Sequence, residues 1–217
     1  VVADSLEKLL KVLGRKKEDY FLMVDEVDIL QADINYRPKL EKVMDYYFTF
    51  KPKRRCLVSA TLNKFSDPRL RYESYFDFPQ AYNTRRKINL YNTNNINASL
   101  VQEIKKYPQE KMLIAYNSIT EILNVISGLE DELKQDIGIL CSEQSKDKVG
   151  SYFANLTDDN ELPNRINFMT CTYFVRIDIT DSYHLITVSN ADKEYMMLSV
   201  DKMNQIYGRC RIDNGIL

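Results

Sequence analysis

The sequence predicts an α/β chain built on parallel sheets and divided into two parts. Phe21-Leu22-Met23-Val24 is an unbroken apolar run, which suits a strand buried on both faces, as in a parallel sheet. From residue 84 on, strand-like and helix-like segments alternate, the pattern of parallel strands joined by right-handed crossovers. Between these regions, 80–86 is polar and aperiodic, and it separates a first domain, 1–80, from a second, 84–217.

The first predicted element is a helix over 4–13. Asp4 or Ser5 can cap it, Leu6, Leu9, Leu10 and Leu13 fall at helical spacing, and Gly14 stops it. Gly14-Arg15-Lys16-Lys17 reads as a solvated loop, and a strand follows over 21–25. A helix over 37–49 has Pro38 in its first turn and a stripe of Leu40, Val43, Met44, Tyr47 and Phe48. Lys51-Pro52-Lys53-Arg54-Arg55 reads as a solvated loop, with a phosphate-contacting patch as the minority alternative. Cys56-Leu57-Val58 is a short strand running into Ser59-Ala60-Thr61, and another strand is expected near 75–78. In the second domain, strands are expected at 88–91, 111–116, 137–141, 166–171 and 184–188. Helices are expected at 98–106, 118–129, 143–156 and 200–210. Ser118 and Glu121 read as a capping box, with Ile119, Ile122, Val125, Ile126 and Leu129 as the buried face.

Composition sets the bounds. The chain has 217 residues, 44% of them hydrophobic, enough for one large or two small domains with a real core. A formal net charge of -1 gives no overall field for nucleic acid, so any such contact is local. Cys56, Cys141, Cys171 and Cys210 are far apart with no C-x-x-C pair, which points to isolated reduced thiols in a cytoplasmic protein. No apolar run approaches the ~20 residues that cross a membrane, and no signal peptide is visible. The chain starts without a methionine and stops soon after Arg211, so both ends are expected to be cuts in a longer protein. His184, the only histidine, reads as a strand-end residue, and most of the fifteen tyrosines as core.

Asp25-Glu26-Val27-Asp28 follows the first apolar run. Adjacent acids at a strand tip can hold magnesium and orient a water, and open α/β sheets place ligands at such tips. An acidic helix start is the plain alternative. Together with Ser59-Ala60-Thr61, 34 positions after Asp25, this segment resembles the D-E-x-D box and S-A-T motif of superfamily-two helicases. Three further stretches resemble motifs of their second domain. They are Lys111–Ser118, Thr170–Asp178 (T-x-x-x-x-x-G-x-D) and Gln205–Arg211 (Q-x-x-G-R-x-x-R). The resemblance spans about Phe21 to Arg211 and rests on the order of individually weak motifs.

It implies two RecA-like parallel-sheet domains around an ATP cleft, the first incomplete at its N-terminus. By that resemblance, Asp25 and Glu26 are the magnesium site. Asp25 holds Mg2+ on the phosphates, and Glu26 activates the attacking water. Asp28 pairs across the cleft with the motif around Gln205, while Ser59, Ala60 and Thr61 couple the ATP site to the second domain. Gln205, Arg209 and Arg211 reach the γ-phosphate, with Asp178 and Gly208 beside the nucleotide. Thr170 binds a nucleic-acid backbone, single strand or duplex, with DNA slightly favoured.

The chain departs from the family in three ways. No G-x-x-x-x-G-K-S/T loop occurs in the 24 residues before Asp25, so the chain as it stands is expected to bind ATP poorly. Arg176 stands where the family has glycine. Arg211 follows Arg209 by two residues rather than three, and Arg209, directly after Gly208, is the better phosphate contact. The expected function is a helicase or translocase ATPase core. A non-catalytic helicase-like interaction module is the alternative, and a metal-dependent nuclease using Asp25, Glu26 and Asp28 ranks last. For Gln205–Arg211 the plain alternative is the exposed end of an amphipathic helix burying Met203, Ile206 and Cys210.

Overall fold

The computed structural model describes residues 5–27, 30, 40–59, 67–78, 88–174 and 177–217. Asp28, Pro38, Ala60, Thr61, the 80–86 boundary and Arg176 lie outside the described residues. The chain divides into two compact units, Val1–Arg86 and Lys87–Leu217.

The first unit holds helix α1 (Leu6–Leu13), strand β1 (Leu22–Val24), helix α2 (Glu41–Phe48) and strand β2 (Arg55–Leu57). Gly14 ends α1 at φ 52°, a torsion that suits glycine, and its N–H returns to the Leu10 carbonyl. β1 and β2 pair in parallel, Leu22 opposite Arg55 and Val24 opposite Leu57. α2 buries Leu40, Val43 and Tyr47. The expectation of a strand buried on both faces fails for β1, where Phe21 and Met23 are 57% and 61% exposed. Alternate residues of a strand face opposite sides, and only the Leu22 and Val24 side is partly covered.

The basic run also differs from expectation. Pro52–Arg54 is a 3-10 turn, and Arg55 belongs to β2. The Arg55 side chain packs over the Tyr47 and Phe48 rings. It donates to the carbonyls of Phe48 and Phe50 and pairs with Glu73 at 2.5 Å. Residues 74–78 form no strand. Tyr75, Phe76 and Phe78 are exposed there.

In the second unit five parallel strands form one sheet: β3 (Met112–Ala115), β4 (Ile137–Leu140), β5 (Phe153–Ala154), β6 (Ile166–Met169) and β7 (His184–Thr187). Their order is β5-β4-β6-β3-β7. Helices α3 (Ile96–Lys106), α4 (Ile119–Ser127), α5 (Asp131–Lys134), α6 (Lys146–Val149) and α7 (Val200–Tyr207) connect or flank them. Strand periodicity splits the core into two layers. Met112, Ile114, Ile139 and Phe168 pack with Leu100 and Ile104 of α3 and Ile122, Val125 and Ile126 of α4. Leu113, Ala115, Leu140 and Met169 pack with Ile206 of α7, Ile179 and Tyr183. A sheet covered on both sides explains why β3, β4 and β6 are buried at every position.

Several expected elements change. Residues 88–91 are irregular, with Ile88 and Leu90 exposed. The helix expected over 143–156 breaks into a 3-10 turn, α6, a second 3-10 turn and β5. Gly150 ends α6 at φ 57°, and Phe153-Ala154 then pairs with Ile139-Leu140 of β4. Pairing with a buried strand outweighs local helix preference. α7 ends at Tyr207, with Gly208 as its cap, rather than at 210.

Candidate functional site

In the first unit, Asp25 and Ser59 leave the C-terminal ends of neighbouring parallel strands. The ladder continues past β1 and β2, with Val58 N–H on the Val24 carbonyl at 2.8 Å and Val27 N–H on the Val58 carbonyl at 3.1 Å. These bonds set the acidic pair beside Val58-Ser59. Asp25 is exposed, and its Oδ1 accepts from the Glu26 amide at 2.9 Å. Glu26 is half-buried with φ 49°, a left-handed torsion that costs a residue with a β-carbon. The bond from Asp25 and the ladder bond at Val27 hold that turn on either side.

In the second unit, the chain runs from β3 outward to β4 and β5, returns to β6, and crosses to β7. The order therefore reverses between β6 and β3, which is where open α/β sheets take ligands. Asn117, just past β3, joins the two strand ends. Its Oδ1 accepts from the Cys171 amide at 3.1 Å, and its Nδ2 donates to the Tyr195 carbonyl at 2.7 Å. Thr170 sits at the same crevice but is only 7% exposed, its amide on the Leu140 carbonyl at 3.0 Å. The exposed surface at this tip is Cys171 and Thr172.

A second cluster forms where α7 ends. The chain beyond Gly208 runs extended beside Ile179, with Ile179 N–H on the Arg209 carbonyl at 2.8 Å and Arg211 N–H on the Ile179 carbonyl at 2.9 Å. Asp178 and Gln205–Arg211 thus meet. Arg209 is half-buried, and its guanidinium donates to the Gln205 carbonyl at 2.9 Å and the Ile177 carbonyl at 3.1 Å. Arg211 pairs with Asp178 at 2.6 Å, both side chains about half exposed. Of the residues in the alternative reading of this segment as a helix end, Ile206 is buried, whereas Cys210 lies past the helix in a bridge to Ile179.

Glu121 does not close the expected capping box. Ser118 caps α4 through the Glu121 amide at 3.3 Å, but the Glu121 carboxylate takes Lys193 at 2.8 Å and the side-chain amides of Asn97 and Asn124, each at 3.2 Å. The Lys193 bond, then the two amides, hold its pKa below the ordinary carboxylate value. Beside it, Tyr116 is buried and its phenol is pushed up to about 12, mainly by burial. His184 begins β7, pairs with Glu110 and stacks on Tyr107.

Magnesium on a nucleotide commonly uses one or two protein carboxylates plus phosphate oxygens. Asp25 suits that role, an exposed carboxylate at a strand tip with only one oxygen engaged by the described residues. No group of three or more potential metal ligands occurs among the described residues. None of the four cysteines forms a disulfide among the described residues. Among the described residues no helix is long and apolar enough to cross a membrane.

Sequence reasoning gave Asn117 no role and left the carbonyls that hold Arg209 unseen. The place of Asn117 in the Lys111–Ser118 motif, directly after a buried strand, was the signal for the first, and the second has none, because main-chain acceptors carry no residue identity. No family model matches the chain, and neither a curated protein nor a solved structure does.

Proposed function

We propose that the chain is part of the core of a nucleic-acid-dependent ATPase, a helicase or translocase, with two RecA-like domains. The observation that carries the reading is the meeting of Asp178 with Gln205–Arg211 at one corner of the second unit. The strand-tip placement of Asp25 and Ser59 in the first unit supports it.

In this reading Asp25 binds the magnesium that accompanies ATP, and the ion neutralises phosphate charge. Glu26, turned by its left-handed backbone, orients the attacking water and takes its proton. Arg211 is the mobile cation. Its pair with Asp178 is exposed and weak enough to exchange for phosphate. Arg209 holds the Ile177–Ile179 segment against α7. The nucleic-acid strand crosses the β3–β6 crevice, with the exposed Thr172 and its hydroxyl as a backbone contact.

ATP turnover by the full-length protein, with and without single-stranded DNA and RNA, tests this. Stimulated turnover that Glu26→Gln removes while nucleotide binding persists is the expected result. Turnover unchanged by Glu26→Gln rejects the role of Glu26. A second reading, a non-catalytic helicase-like interaction module, is favoured by the engagement of both arginines within the second unit. Nucleic-acid binding without any turnover selects it.

A further inference from the structure

Thr49, Phe50, Lys51 and Arg54 follow α2, and with Lys17 and Glu18 they line a cavity of about 60 Å³. Its lining residues precede β1 and β2, at the N-terminal end of the parallel strands, whereas Asp25 and Ser59 follow their C-terminal ends. Three basic residues and one acidic residue therefore line the cavity. Basic residues after a helix often serve its terminal carbonyls, but these carbonyls are already taken. Tyr46 accepts from Thr49, Tyr47 from the Phe50 amide, and Phe48 and Phe50 from Arg55. Among the described residues no acid pairs with Lys17 or Lys51, and the Arg54 guanidinium meets only the Glu18 carbonyl. The space is several times the least that admits a water, and the unmatched charge around it is positive.

We infer that this cavity binds a phosphate group through Lys17, Lys51 and Arg54. Ammonium groups act as point charges on phosphate, and the Arg54 fork supplies directed donors. Glu18 opposes the anion and sets the affinity low. The phosphate belongs either to a free small compound or to a nucleic-acid backbone. The site is independent of the ATPase reading, since it uses none of the residues assigned there.

Calorimetric titration of the whole chain with inorganic phosphate at low salt tests it. Saturable binding is expected, about tenfold weaker in Lys17→Gln/Lys51→Gln and about two- to threefold tighter in Glu18→Gln, since removing a like charge near an anion lowers its energy. The Glu18 variant keeps the carbonyl that Arg54 uses, and matching circular-dichroism melts check that all three proteins are folded. A short oligodeoxythymidylate that displaces phosphate from the wild type identifies a nucleic-acid backbone as the source. Failure to displace identifies a free phosphate compound. No saturable binding, or binding that the double lysine variant leaves unchanged, overturns the site.

Discussion

Arg209 and Arg211 sit two positions apart and are held in different ways. Arg209 is half-buried with its donors on two carbonyls, whereas Arg211 shares an exposed pair with Asp178. A planar fork satisfying main-chain acceptors is not replaced by an ammonium. Arg209→Lys is therefore expected to lower the melting temperature by several degrees, a loss of about 1–3 kcal/mol. Arg211→Ala is expected to leave it nearly unchanged, since exposed pairs contribute about 0–1 kcal/mol. Under the proposed ATPase reading, Arg211→Ala is expected to reduce ATP turnover more than nucleotide affinity. Equal melting temperatures for Arg209→Lys and wild type would refute the structural role given to Arg209. Sequence favoured Arg209 as the phosphate contact because it follows Gly208. Only the fold reveals that Arg209 is engaged by main-chain carbonyls and Arg211 by an exposed carboxylate.

At the scale of the element, the start of α4 is tied to residues far along the chain. Glu121 binds Lys193, 72 positions away, as well as Asn97 and Asn124. Its folded pKa lies below the ordinary carboxylate value. The folded state therefore favours the ionised carboxylate, and this contribution is present above the unfolded pKa. It fades as pH falls through the lower folded value. Stability measured by urea unfolding is expected to drop on acidification below about pH 4.5, and Glu121→Gln should flatten that slope. An unaltered slope in the variant would show that other carboxylates govern the acid limb. The capping serine and the Ile122, Val125 and Ile126 stripe were legible because helix periodicity is local. The partners Asn97 and Lys193 were not, because tertiary packing brings them to residue 121 from 24 and 72 positions away. The break of 143–156 has the same origin, since the partner that recruits Phe153-Ala154 is β4.

At the scale of the whole molecule, the described residues of the two units differ in sheet content. Among the described residues, the second has a five-stranded sheet covered on both faces, and the first has two paired strands with Phe21 and Met23 exposed. Two strands rarely suffice alone, whereas a sheet with two packed layers has its own core. A fragment comprising 88–217 is expected to melt cooperatively by circular dichroism, and one comprising 1–78 to lack a sharp transition. A cooperative melt of the shorter fragment would mean that α1 and α2 build a sufficient core. The sequence by itself determined the α/β class, the parallel strands at Met112, Ile137 and Ile166, and the acids after Val24, because apolar runs and their ends are properties of adjacent residues. Tertiary structure alone decided the strand order, the reversal between β6 and β3, the meeting of Asp178 with Arg211, and the edge role of Phe153-Ala154. Each of these depends on which distant segments pack together, and pairing energies between them are written in no single stretch of chain.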